Sequence, residues 1–368
     1  NNSASALGTL TALMFLPQMV LAPVAGRVAD RFPKRRTLLI CQVVGGIDAV
    51  ALGLLVVTGH VELWMVYLIA VIDGTAVTFD GPSRQAFVGE MVPLSQLPNA
   101  IGLNSASFNA ARLFGPGIAG VLIAVLGTGP VILWNVLSFI STGVALLIMN
   151  AEELHPRSAA PESGGFVDGV KYVMHRPDLI VLLTCGLALG GLGFNFQISN
   201  AVMATVAFGK GAGEYGVLGS LMGLGALAAA LSAAARSTPR LRYVLIGMAG
   251  YTVFSLAAAL ALNYWVFAAL QAPIGLFAIT VLVSGNTLVQ THTSPDMRGR
   301  MMAMWNLVIS GVAPISSPVV GHLGDVFGPR ATVMFGVIVV GLAVIGVTVA
   351  IMHNDQLRIR IDSHRRLP

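Results

Sequence analysis

Apolar residues in this chain do not alternate with polar ones along amphipathic helices. They come in nearly unbroken runs divided by short polar loops. A helix needs roughly 20 mostly apolar residues to cross the hydrocarbon core of a bilayer. Eleven runs approach or exceed that length, at 7–25, 38–58, 63–80, 100–126, 131–150, 179–207, 217–235, 244–262, 265–287, 302–320 and 331–352. Several hairpins between them are marked by little more than Gly-Thr-Gly-Pro at 127–130 or Asn263-Tyr264. Such runs predict an all-α, multi-pass membrane protein.

Composition agrees. Only 10% of the 368 residues are charged and 55% are hydrophobic, whereas a soluble globular domain carries about 25% charged residues. The 21 Lys and Arg are not arranged as a basic helix interleaved with aromatics, so no nucleic-acid partner is expected. They gather in alternate loops. Eighteen lie on the side of the 26–36 loop or in the tail, Lys210 and Arg330 lie opposite, and Arg112 alone falls within a run. Cytoplasmic loops are the ones enriched in Lys and Arg. That bias predicts a cytoplasmic tail, an outward-facing Asn1 and residence in the plasma (cytoplasmic) membrane. Cys41 and Cys185 both sit inside apolar runs, which suits neither a disulfide nor a metal site.

The longest polar stretch, 151–178, begins with Pro156, Pro161 and a Ser/Gly patch and ends amphipathic. Phe166, Val170, Val173 and Met174 share one face of a short surface helix that Pro177 would stop. It divides the chain into an N-terminal helical bundle at 1–150, a cytoplasmic linker at 151–178, a C-terminal bundle at 179–352 and a basic tail at 353–368. An internal repeat fits the division: a shift of 202 residues brings Pro93 onto Pro295, Asn104 onto Asn306 and Pro116 onto Pro318. Parallel repeats of this kind relate the halves of some secondary transporters, with the site between them near the midplane.

Three motifs carry a family resemblance. Gly26, Asp30, Arg31, Arg35 and Arg36 follow the spacing G-x-x-x-D-R-x-x-[KR]-R-R, with Pro33 where a glycine is usual. This resembles the signature loop of the major facilitator superfamily. Gly102, Ala111, Gly115, Pro116, Ala119 and Gly120 resemble the helix-five motif of its drug–proton antiporters, departing from it at the two alanines. The run Phe79-Asp80-Gly81-Pro82-Ser83-Arg84-Gln85-Ala86-Phe87 is similar to that of the branch holding the enterobactin exporter and related macrolide and multidrug efflux proteins. The resemblance implies two pseudo-symmetric bundles with eleven of twelve helices present, the first being absent from this chain. It also implies a conformational latch in which Asp30 faces a helix N-terminus of the other half and pairs with Arg31 or Arg35. Plain topogenic charge accounts for part of the same signal. In the helix-five motif, Arg112 stands beside small residues that let helices approach closely.

Asp48 and Asp73 fall mid-run, where a carboxylate costs about 2.5–3.5 kcal/mol on insertion scales and usually faces a cavity or a partner. Both are candidates for proton coupling, with Asp73 the better placed because the superfamily's fourth helix lines its cavity. A structural pair between Asp73 and Arg112 is the plainer alternative. Pro82 is expected to end its helix, with Asp80 and Arg84 closing a cytoplasmic ion pair as a gate. Asn104, Asn195, Gln197, Gln271 and Asn306 are polar positions within spans that could line a substrate cavity, although interhelical hydrogen bonds are their commoner use.

The chain carries no G-x4-G-K-[ST], H-E-x-x-H or G-x-S-x-G, and its seven His do not cluster. No enzyme activity, cofactor or metal is expected. The reading is a monomeric secondary transporter, with a small-molecule substrate, protons and membrane lipid as partners, exporting an amphipathic drug- or siderophore-type solute by proton antiport. Ion-coupled uptake, transport of a lipid-like solute, and a non-transporting receptor or scaffold are the alternatives.

Overall fold

A computed structural model of the chain describes residues 3–150, 153–154, 166–236, 240–294 and 297–353. Every element among them is helical. In chain order these are α1 (Ala4–Arg31), α2 (Lys34–Val57), α3 (Leu63–Glu90), α4 (Leu97–Leu126), α5 (Thr128–Ile148), α6 (Phe166–Met174), α7 (Pro177–Gly186), α8 (Phe196–Val202), α9 (Ala212–Ala234), α10 (Leu241–Ala259), α11 (Tyr264–His292), α12 (Arg298–Ser310), α13 (Ala313–Phe327) and α14 (Pro329–His353). Ten segments among the described residues are long and apolar enough to cross a membrane. The 30-residue α4 occupies the remaining expected position, though several of its side chains lie outside the described residues.

The outward faces explain the absence of amphipathic periodicity. On α2, Ile40, Val43, Ile47, Val50, Leu54 and Val57 form an exposed apolar stripe, as do Ile338, Leu342, Ile345 and Val349 on α14. In water such stripes would be buried against a core. Here they lie on helices long and apolar enough to cross a membrane.

One expectation about helix ends is corrected, and two expected spans are present but broken within. Pro82 does not end its helix: α3 runs through it to Glu90. Pro82 has no N–H to bond the carbonyl one turn back, but Arg84 grips Asp80 across the same turn through two 2.8 Å hydrogen bonds. The expected 302–320 span is two helices, because Gly311 and Val312 separate α12 from α13 and Pro314 sits in the first turn of α13. Its repeat partner α4 is continuous, so the 202-residue repeat does not extend to local geometry. The 179–207 span is interrupted too, by a widened π-helical turn over Leu187–Gly193 and a break at Phe194-Asn195. A further difference falls on α6. Val173 is buried as the pattern implies, but Met174 is 70% exposed, and Phe166 and Asp168 lie outside the described side chains.

The chain forms two compact units. One comprises Thr9–Pro161 with Gly211–Gly216; the other comprises Asn1–Gly8, Glu162–Lys210 and Val217–Pro368. In the first, α2 lies between α3 and α5 and approaches α5 closely, since a Cβ on Gly45 would strike the Phe139 ring and one on Gly53 the Leu133 side chain. In the second, the core centres on Trp305, Phe267, Leu179, Met248 and Met301, all essentially inaccessible. Trp305 packs where Gly186 and Gly285 leave room for its ring, which makes it a core anchor and not a cavity wall.

Candidate functional site

Within the first unit, α2, α3 and α5 enclose a cleft of about 310 Å3. Its walls include Gln42, Asp73, Asp80, Arg84, Ser138 and Thr142. The elements dictate this grouping. Gly45 brings α2 against α5, and Asp73, Asp80 and Arg84 fall on one side of α3 at helical spacing. At one end Asp80 is held from two helices: Arg84 donates to both its oxygens, and Gln42 Nε2 donates to Oδ1 at 3.3 Å. A bidentate guanidinium–carboxylate pair of this type is fixed in orientation as well as charge.

Asp73 lies deeper in the same cleft, with no hydrogen bond among the described residues. Asp48, on the neighbouring face of α2, is only 8% exposed, and its Oδ2 has no hydrogen-bond partner among the described residues. Sequence reading named both acids, but it missed Gln42, Ser138 and Thr142. Polar positions in runs 38–58 and 131–150 were the available signal.

In the second unit, the break after Gly193 opens a small polar cavity of about 30 Å3 lined by Asn195, Asn200, Gln271, Tyr251 and Ser255 among others. That volume suits a water or two. Asn195 donates from Nδ2 to Leu192 O at 2.7 Å, and its Oδ1 accepts from Ser317 Oγ at 3.3 Å. Gln271, 2% exposed, accepts from Asn200 Nδ2 at 3.2 Å. Tyr251 donates its hydroxyl to the Gly193 carbonyl at 2.8 Å, satisfying a group that the break would otherwise orphan. Asn195 and Gln271 are thus brought together. Gln197 and Asn306 are exposed and do not line this cavity, and Asn104 is an exposed residue of α4 in the other unit. Asn200, Tyr251, Ser316 and Ser317 complete a network that single-sequence reading could not assemble.

The motif residues are dispersed. Arg35 donates to the terminal carbonyls of α5, Leu146 O at 2.6 Å and Leu147 O at 2.8 Å. Arg31 and Arg36 are exposed, and the Asp30 side chain lies outside the described residues. Among the described residues, no atom lies within 4 Å of where a Cβ on Gly26, Gly102 or Gly115 would stand. At Gly120 a Cβ would lie 3.0 Å from Ala212 O and Gly216 Cα, a true close crossing. The side chains of Arg112 and Pro116 lie outside the described residues.

The two all-helical units and their exposed apolar stripes fit the fold expected of the major facilitator superfamily. A solved structure of a mutant of the nucleoside transporter NupG has the same fold, with a TM-score of 0.72 over 94% of this chain and 91% of that one at 12% identity. The chain belongs to the transmembrane secretion effector family of that superfamily, whose family model matches residues 2–365. It is similar to the multidrug efflux pump Tap of Mycolicibacterium fortuitum, at 26% identity over 341 residues covering 86% of this chain and 80% of Tap. It is also similar to the enterobactin exporter EntS of Shigella flexneri, at 24% identity over 351 residues covering 90% of this chain and 80% of EntS. The protein is a multi-pass integral membrane transporter with efflux-pump relatives.

Proposed function

We propose that this transporter exports an amphipathic small molecule, of drug or siderophore type, in exchange for protons, with Asp73 and Asp48 as the proton-carrying pair. The observation that carries the reading is the buried Asp48 on α2, whose Oδ2 has no hydrogen-bond partner among the described residues, together with Asp73 in the wall of the α2–α3–α5 cleft. An intramembrane acid without a fixed partner is costly unless its charge state changes during the cycle. The efflux relatives Tap and EntS favour export over uptake.

In this reading the N- and C-terminal bundles rock about a midplane cavity as a monomer in the cytoplasmic membrane, with the tail inside. Gly26, Asp30, Arg31, Arg35 and Arg36 latch the basic side, and Asp80 with Arg84 gates the cleft. The helix-five residues Gly102, Arg112, Gly115, Pro116 and Gly120 set the antiport character. Asn195 and Gln271 lend polarity near the substrate path.

The test uses the protein in proteoliposomes with an imposed pH gradient, a panel of amphipathic drugs and catecholate siderophores, and a pH dye in the lumen. The expected outcome is solute movement accompanied by opposed proton flux, with Asp73→Asn abolishing the proton flux and Asp48→Asn reducing it. Solute movement unaffected by the gradient, or proton flux intact in Asp73→Asn, overturns the coupling. Flux of solute with the proton overturns export. Absence of flux for the whole panel, with the protein folded, favours a receptor or scaffold.

A further inference from the structure

From the first unit we infer a binding site for one anionic phospholipid, its headgroup held at the start of α2 and an acyl chain laid between α2 and α5. The headgroup end is a pocket of about 650 Å3 lined by Arg31, Lys34, Arg35, Arg36 and Glu90, with apolar Leu39 and Leu154 on its wall. Among the described residues, Lys34, Arg35 and Arg36 face one carboxylate there, with Arg31, which already has an interaction of its own, beside them. That carboxylate, Glu90, is already paired with Lys34 Nζ at 3.1 Å. Arg36 is exposed and has no carboxylate partner among the described residues. The first turn of α2 adds to the field, since it carries no acidic residue and no side chain caps it. Its free backbone N–H groups present the positive end of the helix dipole.

Charge alone would suit any anion. The second feature selects an amphipathic one. Leu39 also belongs to a neighbouring groove of about 540 Å3 that runs between α2 and α5 from Leu39 and Leu147 past Val43, Gly143, Ile47 and Ile140 to Val50 and Val136. It is almost wholly apolar and lies on faces whose Val43, Ile47 and Ile140 are exposed. A basic pocket continuous with a lipid-facing apolar groove matches a phosphate with a hydrocarbon tail. It does not match a free phosphate, which would leave the groove empty. Basic pockets between membrane helices recognise anionic lipid headgroups in this way. Arg35 meanwhile pins α2 to the last carbonyls of α5, so the groove walls are held together beside the pocket. Occupancy by lipid would make the start of α2 sensitive to membrane composition without any contact with the transported solute.

The experiment reads lipid retention, not transport. The whole protein is purified from phosphatidylethanolamine vesicles with or without phosphatidylglycerol, and bound lipid is counted by native mass spectrometry. One phosphatidylglycerol is expected to stay with the wild-type chain in preference to phosphatidylethanolamine. A cation close to an anionic headgroup is worth about fivefold in affinity, so the double variant Arg31→Gln/Arg36→Gln is expected to lower retention on the order of tenfold or more. Arg36→Lys, which keeps the charge, should retain the lipid. Gly143→Leu places a side chain in the groove where the glycine has open space. It should weaken retention while every cation stays. Should the double variant fail to fold, Gly143→Leu still decides. No preference for phosphatidylglycerol in the wild type, or unchanged retention in Gly143→Leu, overturns the proposal. So does displacement of the lipid by inorganic phosphate or glycerol phosphate at comparable concentration, since that would assign the pocket to free anions.

Discussion

Asp325, near the end of α13, caps the first turn of α1 beside Ser3. Its carboxylate accepts hydrogen bonds from Ser3 Oγ at 2.8 Å, from the Ala4 backbone N–H at 2.7 Å and from the Ser5 N–H at 3.0 Å. Ser3 is the N-cap, its Oγ accepting from the Ala6 N–H at 3.3 Å, and Asp325 adds acceptors for Ser3 and two further backbone donors from more than 300 residues away in sequence. Small residues bring the two helices together: a Cβ on Gly8 would strike the Ser317 carbonyl, and one on Gly321 the Ala4 carbonyl. Loss of such a cap costs about 0.5–2 kcal/mol. Asp325→Ala, which strands the Ala4 and Ser5 N–H groups, is expected to lower the thermal midpoint in detergent measurably, and Ser3→Ala, which removes an acceptor from only the Ala6 N–H, to lower it less. An unchanged midpoint in Asp325→Ala would remove the stabilising role from this contact.

Arg84 offers a contrast between stability and function. Its side chain is 48% exposed and its partner Asp80 sits one turn away on the same helix. Exposed pairs of that spacing contribute about 0.3–1 kcal/mol, so Arg84→Ala should hardly change unfolding. It should nonetheless free Asp80 in the cleft, leaving only the 3.3 Å hydrogen bond from Gln42. If the pair gates the cleft, the rate of export falls in Arg84→Ala while the thermal midpoint stays within a degree or two of wild type. An unchanged rate removes the gating role from this pair.

A third contact ties the linker helix to the second unit. Arg176 grips Asp178 through two hydrogen bonds of 2.9 and 2.7 Å, and donates to Tyr172 Oη at 3.1 Å and to the His292 carbonyl at 2.8 Å. The hydrogen bond to Asp178 holds the Arg176 guanidinium above its ordinary pKa, so it stays charged throughout. Asp178 is 5% exposed. Removing a charged partner from a buried hydrogen bond costs about 1.5–3 kcal/mol. Asp178→Asn should therefore destabilise the protein by that order and speed proteolytic cleavage near residue 176. Tyr172→Phe, which loses one neutral acceptor, should do so by less than half as much.

How much of this was legible in sequence depends on the kind of interaction. Spans were visible because length and apolarity are local properties, and Asp48, Asp73 and the Asp80–Arg84 spacing stand out in an apolar background. The break at Phe194-Asn195 left a trace in the glycines at 190, 191 and 193 and in the polar Asn195, Gln197 and Asn200, which read as cavity candidates and not as a break. The break at Gly311-Val312 left only Gly311 and Pro314 as a local trace. Pro82 misled because its missing N–H predicts a stop, while α3 continues through it to Glu90. The partners of Asn195 and Asp80 come from other helices, and only packing reveals them.

Glycines separate packing from function most sharply. A Cβ on Gly225 would sit 2.7 Å from Leu276 N and 2.8 Å from Ala272 C, both backbone atoms of α11 that cannot swing aside. Gly225→Val must push α9 and α11 apart, and overpacking of this kind costs about 1–3 kcal/mol or more. Gly102, in the motif that resembles drug–proton antiporters, has open space at the same position. Gly102→Ala gains up to about 1 kcal/mol of helix propensity, so it should fold as well as wild type or better. The two variants are compared by thermal unfolding and by export in proteoliposomes. Gly225→Val is expected to lose both stability and transport. If the helix-five glycines serve motion, Gly102→Ala loses transport alone, because the α4 backbone at 102 must then adopt a conformation, or admit a neighbour, that the resting structure does not contain. Full activity in Gly102→Ala would strip the motif of that role and leave only Gly120, at its 3.0 Å crossing with the start of α9, as a glycine required by structure.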